Sequence, residues 1–269
     1  MSSLYLFFAK YIFHWGFISR QVPFSKSRIA LKAIPPTTLI GALACSYAIC
    51  KGKGEIIIQS NGSIASGAEI LRNIVVAAYA RLDLTISAYS DISRVYWLYR
   101  GQIKYDAIAL EKIYVMPSSK DKYPYIDVIY IIDERKAKTI LGENWLKDII
   151  AALWGIRRFG QKETIVSSID VKWDKAQIVD KRQGYTSFYI PRDAIKDLPD
   201  GEYFLHKFFD HKENIIGEYS RAKSIEYIIP YSMEKRCPNK LKVEVSNKGA
   251  IVNSRIIDED IIILRRWLA

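Results

Sequence analysis

Pro35-Pro36-Thr37-Thr38-Leu39-Ile40-Gly41-Ala42-Leu43-Ala44 is the stretch from which the fold is read. Two prolines end the preceding segment, and Thr37 or Thr38 is a ready N-cap, so a helix is predicted over Leu39–Cys50. Lys51-Gly52-Lys53-Gly54 stops that helix, with cations near the negative end of its dipole and glycine at the C-cap. Gly41, Ala42 and Ala44 are small enough to let the helix lie close to a sheet. The N–H groups at its start are able to accept an anion. Upstream, Leu4–Lys10 is dense in large apolar residues and suits a strand buried on both faces. Tyr11–Ala33 between them reads as a loop rich in basic and aromatic residues.

Downstream, Ile56–Gln59 is a short strand, and the apolar residues of Ile70–Ser87 suit either strand or helix. Lys112–Val115 and Tyr125–Ile132 read as strands around the polar turn Ser118–Lys122. Thr139–Trp154 is predicted as one helix, with Ile140, Leu141, Trp145, Ile149, Ala152 and Leu153 as its apolar stripe, and Thr164–Val171 as a strand. The order strand, helix, strands, helix, strand is compatible with a split βαβ (ferredoxin-like, RRM-like) domain over residues 1–172. Short alternating segments follow: Ser187–Ile190, Tyr203–Phe209, Ser224–Ile229, Leu241–Val245 and Ile261–Arg265. They give residues 173–269 as a smaller, mostly antiparallel β region. The predicted class is therefore α+β, with Arg94–Tyr105 as either an inserted hairpin turning at Arg100-Gly101 or a strand pair on the domain surface.

Charge is distributed unevenly. Seven basic residues (Lys10, Arg20, Lys26, Arg28, Lys32, Lys51, Lys53) precede the first acid, Glu55, in a chain of 269 residues and formal charge +11. An uncompensated cationic block repels itself and points to a polyanion, nucleic acid first, whose condensed counterions are released on binding. The three cysteines form no C-x-x-C pair and read as reduced, buried residues. The three histidines are too scattered for a metal site, so neither metal nor cofactor is expected. No apolar run is long enough to span a bilayer and Leu4–Phe8 lacks the flanks of a signal peptide, which leaves a cytoplasmic protein without a membrane partner.

Two further stretches interleave cations with groups that suit single-stranded RNA. Trp15–Arg28 carries Trp15, Gly16, Phe17, Arg20, Phe24, Lys26 and Arg28 among serines, supplying charge, hydroxyls and stacking faces. Gly155-Ile156-Arg157-Arg158-Phe159-Gly160-Gln161-Lys162 is a glycine-bounded loop with three cations between the second helix and the next strand. Its ordinary explanation is a helix C-terminus that favours cations.

Trp15-Gly16 with Ser19-Arg20, then P-P-T-T-L-I-G-A-L-A (Pro35–Ala44), then G-I-R-R-F-G-Q-K-E-T-I-V-S (Gly155–Ser167) together resemble a CRISPR-associated family. It is the RAMP-superfamily subunit of the Cascade surveillance complex that caps the 5′ handle of CRISPR RNA (crRNA), in its archaeal, subtype I-A branch. The motifs cover about the first 170 residues in the family's order. The resemblance implies antiviral defence, crRNA as ligand, and the RAMP backbone subunit and the large subunit of Cascade as partners. Trp15, Arg20, Lys26, Arg28, Thr37, Thr38, Arg157, Arg158 and Lys162 become the candidate RNA-binding residues. No R-G-F-A-F-V-like strand is present, so RNA held by loops is expected over RNA stacked on a bare sheet.

One branch of that family cuts precursor crRNA as a metal-independent endoribonuclease, which needs an acid and a base near a 2′-hydroxyl. His14 beside Tyr11 is the weak catalytic candidate; His206 and Lys207 alternate faces on a predicted strand, and His211 falls in a charged turn. A non-catalytic binder is expected. A scaffold whose positive charge meets an acidic protein is the third reading.

Overall fold

The computed structural model describes residues 3–19, 27–28, 30–58, 62, 64–117, 119–120, 122–161, 163–214 and 222–269, with the backbone alone at 27–28, 93, 95 and 108–110. β1 (Leu4–Phe13) extends three residues past the predicted strand. Short strands β2 (Gly16–Phe17) and β3 (Ser27–Arg28) follow, then α1 (Pro36–Cys50) and the small pair β4 (Ile56–Ile58) and β5 (Ile64–Ser66). The ambiguous stretch after Gly67 holds both structures: α2 (Ala68–Ile74) passes directly into β6 (Val75–Asp83). β7 (Thr85–Tyr99) and β8 (Gln102–Met116) form a long hairpin. Its turn puts Arg100 at φ 49° and Gly101 at φ 76°, both positive as a two-residue hairpin turn requires. β9 (Tyr125–Asp133), α3 (Glu134–Leu141), α4 (Trp145–Trp154) and β10 (Val166–Val179) complete this part.

Both predicted helices differ from expectation in their boundaries. α1 starts at Pro36, with Pro35 as N-cap, so neither threonine is the cap. Proline at the first helical position loses nothing, because that N–H has no intrahelical partner anyway. Pro35 carbonyl accepts from Thr38 N–H at 2.9 Å and Leu39 N–H at 3.1 Å. The predicted helix Thr139–Trp154 is two helices, the first starting five residues earlier at Glu134. Gly142, at φ 87°, stops α3 and its N–H closes on the Lys138 carbonyl at 2.9 Å.

The remaining strands are β11 (Gln183–Thr186), β12 (Ile190–Pro191), β13 (Tyr203–Phe209), β14 (Ser224–Pro230), β15 (Leu241–Glu244), β16 (Gly249–Asn253) and β17 (Ile261–Leu264). Among the described residues, one six-stranded sheet runs β17-β16-β10-β1-β9-β6, and every pairing in it is antiparallel. Residue 172 lies inside β10, which pairs with β1 over its earlier part and with β16 at its end.

β1 is central, so apolar side chains on both its faces find cover. Tyr5 and Phe7 meet Trp145 of α4, with ring centroids 5.3 and 6.2 Å away, and Tyr11 Oη donates to the Leu153 carbonyl at 2.8 Å. The C-terminal half joins the sheet by pairing β16 with β10 and also packs on it at β6. Tyr79 packs against Tyr189, Tyr227 and Trp267. Arg81 donates to Asp127 at 3.0 Å, Ser187 at 3.2 Å and Glu259 at 2.7 Å while stacking on Phe188. Among the described residues no helix is long and apolar enough to cross a membrane.

Candidate nucleic-acid interface

α1 is buried almost all round, and apart from Cys50 at its end the less buried positions share one face: Thr37, Thr38, Gly41, Cys45 and Ile49. Spacing of three and four residues puts them in a line along the helix. That line is one wall of a groove of about 490 Å³; the other is the Gly155–Gly160 loop. The loop divides its side chains by polarity. Ile156 and Phe159 are buried, Phe159 edge-on to Tyr11 at 5.1 Å, and this leaves Arg157 and Arg158 exposed. Its backbone is pinned by Val166 N–H to the Arg157 carbonyl at 2.9 Å and Phe159 N–H to the Thr164 carbonyl at 3.2 Å.

The glycines have distinct roles. Gly155 permits the close approach of α4 to α1: a Cβ there would stand 2.5 Å from Ser46 Oγ, which itself donates to the Ala152 carbonyl at 2.6 Å. Gly41 does not do this. A Cβ at Gly41 would meet nothing within 4 Å, so the expectation that it packs against the sheet is corrected: it faces the groove. Gly16 has a structural reason too, since its Cβ would collide with the Ile113 carbonyl of β8 at 2.0 Å.

Thr37, Thr38, Arg157 and Arg158, which lie some 120 positions apart in the sequence, thus share one site. Among the described residues no carboxylate forms an ion pair with either arginine. Thr38 N–H, bonded to Pro35, is not free for an anion. His14 does not line the groove and is tied to the loop only through backbone: its main-chain N–H donates to the Ile165 carbonyl at 3.2 Å, and Ile165 bridges Arg158. The exposed His14 ring lies 2.9 Å from Ser167 Oγ. Trp15 sits against the hairpin, where its carbonyl accepts from Val115 N–H at 2.9 Å and Lys112 Nζ lies 6.0 Å from its ring. Arg20, Lys26 and Lys162 fall outside the described residues, and Arg28 is described only as backbone paired with Leu110.

The other histidines are not at this site. His206 Nε2 accepts from Lys32 N–H at 3.2 Å, and burial, with help from the Lys32 charge, lowers its pKa to about 4. His211 lies in the expected charged turn, between Asp210 and Lys212, but its ring is fully buried; it donates to the Val76 carbonyl, and burial lowers its pKa to about 3. Among the described residues no group of three or more His, Cys, Asp and Glu side chains is placed to hold a metal ion.

The sequence reading missed Glu55 and Cys45 in the groove. Cys45 Sγ lies 3.0 Å from Glu55 Oε1. Burial and the Glu55 carboxylate raise the Cys45 pKa, with Arg158 opposing them. The spacing of positions 37, 41, 45 and 49 was the available signal, but small residues on a helix read equally as packing.

No protein-family model matches the chain. It is 29% identical over 242 residues to CRISPR-associated protein Cas5 3 of Saccharolobus solfataricus, covering 86% of this chain and 90% of that protein. It is 27% identical to the same organism's CRISPR system aCascade subunit Cas5 1, again covering 86% of this chain and 90% of the relative. Its fold is similar to a crystal structure of a CRISPR protein from Archaeoglobus fulgidus, with TM-score 0.66, 19% identity and 97% and 99% coverage. The paired motifs and these chain-wide similarities converge: the chain is a homologue of the CRISPR-associated Cas5 proteins of Saccharolobus solfataricus.

Proposed function

We propose that this chain is a non-catalytic crRNA-binding subunit of a type I-A Cascade complex. It holds the repeat-derived 5′ handle in the groove between α1 and the Gly155–Gly160 loop and contacts the backbone and large subunits. The observation that carries this is the meeting of the two most specific sequence motifs as opposite walls of one groove, with Arg157 and Arg158 exposed on its rim. Arginines without carboxylate partners are suited to phosphates. The order β10-β1-β9-β6, with helices after β1 and β9, supports a ferredoxin-like core. Covering of that core by the C-terminal half at Tyr79 and Arg81 supports RNA held by loops.

The test is anisotropy with labelled repeat RNA. Arg157→Glu with Arg158→Glu is expected to weaken binding at least about tenfold, or 1.4 kcal/mol, leaving the RNA uncut with EDTA or divalent metal. Unchanged affinity overturns the reading. The alternative, a metal-independent endoribonuclease processing precursor crRNA, draws on the exposed His14 ring beside Ser167. A discrete cleavage product that disappears in His14→Ala, with binding retained, would establish it.

A further inference from the structure

Glu55 ends the uninterrupted cationic opening of the chain, and among the described residues lining the groove it is the one acid. Its backbone is fixed. Gly67 N–H donates to the Glu55 carbonyl at 2.7 Å, and a Cβ at Gly67 would stand only 3.1 Å from that oxygen. Burial and the Glu55 carboxylate raise the Cys45 pKa, so among the described residues the donor to Glu55 Oε1 is a weak S–H.

A carboxylate here repels every phosphate that Arg157 and Arg158 attract, so a groove built for phosphate alone gains nothing from it. An ionised carboxylate only accepts hydrogen bonds, and in RNA the donors are base edges and 2′-hydroxyls. Guanine alone presents two adjacent donors, N1–H and the N2 amine, on its Watson–Crick edge. They match the two carboxylate oxygens as the fork of an arginine does. Adenine and cytosine set one amine beside an acceptor nitrogen, and uracil sets one imino N–H between two carbonyls. Each would press a lone pair against a carboxylate oxygen. The open space over Gly41 leaves room for a ring, with Ile49 and Ile156 as apolar lining.

We propose that Glu55 is a specificity residue: a guanine base enters the groove between α1 and the Gly155–Gly160 loop and pairs its N1–H and N2 amine with the Glu55 carboxylate. This rests on the groove being the RNA site. The test is anisotropy of the full chain with three single-stranded RNAs of equal length: a uridine tract, the tract with guanosine at every third position, and the same with inosine, which lacks the N2 amine. Wild type is expected to favour guanosine over inosine by about fivefold or more, the discrimination of a good bidentate pair. Glu55→Gln is expected to bring that ratio near one while binding the uridine tract at least as well. A wild-type ratio near one, a ratio that survives in Glu55→Gln, or an equal gain for all three RNAs overturns the proposal. If Arg157→Glu with Arg158→Glu still weakens all three, the RNA groove stands and only the guanine assignment falls. If that variant changes none of them, both fall.

Discussion

At Gly41, stability and RNA binding are expected to move in opposite directions. Gly41→Leu adds a side chain where, outside the helix's own backbone, nothing lies within 4 Å of the new Cβ, so no neighbouring element is overpacked by it. Replacing a mid-helix glycine by leucine, which ranks close to alanine, gains roughly 0.8–1 kcal/mol of helix propensity. At roughly 2–4 °C per kcal/mol in a chain of this size, the melting temperature is expected to rise by about 2–3 °C. The same side chain occupies the groove and is expected to weaken repeat RNA about tenfold or more, by excluding whatever rests on that face of α1. Gly155→Ala is the counterpart: its Cβ would meet Ser46 Oγ at 2.5 Å, and a loss of about 1–3 kcal/mol is expected. Thermal melts and anisotropy on the same preparations check both. A Gly41→Leu protein that melts several degrees lower would show that the position packs against the protein. One that binds RNA like wild type would show that the groove is not the RNA site.

Arg81→Leu is expected to cost about 3–5 kcal/mol in urea unfolding, because Asp127, 1% exposed, would keep only Lys10 at 3.5 Å; a loss under about 1 kcal/mol refutes that role. Acidification is expected to destabilise the fold from about pH 6.5 downward. His206 and His211 have folded-state pKa values of about 4 and about 3. Between these values and 6.5 the unfolded chain binds protons that the folded chain does not, so stability rises with pH there, by up to about 2.7 kcal/mol per unit for two sites. Urea midpoints should therefore depend less on pH in His206→Gln with His211→Gln, and an unchanged slope contradicts the assignment. If about five cations meet phosphates, log K against log salt is expected to fall with a slope near −3.5; a slope near zero removes the electrostatic argument.

Strand β1 was legible because an apolar run with few interruptions has one economical solution, burial on both faces. The α1 end at Cys50 was legible but its start only approximately: two prolines announce a helix start but do not say that the second one is already helical. Gly142 lay inside an apolar stripe that continues across it, and periodicity does not register a single residue with positive φ. In the site, Arg157 and Arg158 stood out because two glycines bound them, and Thr37 and Thr38 because two prolines precede them. Glu55 had no such frame. It reaches the groove only through the turn between α1 and β4, a tertiary relation that local spacing does not encode. Gly41 was visible but misassigned, since a small residue on a helix looks the same whether its open side meets protein or a ligand.

Where the RNA lies is decided most directly by photocrosslinking. The full chain bound to repeat RNA carrying 5-iodouridine at successive 5′-handle positions would be irradiated, and crosslinked peptides sequenced by mass spectrometry. Crosslinks are expected at Trp15 and within residues 37–49 and 155–160. Crosslinks confined to the β7–β8 hairpin or to residues after 180, with none in those segments, would contradict the placement of the handle in the groove.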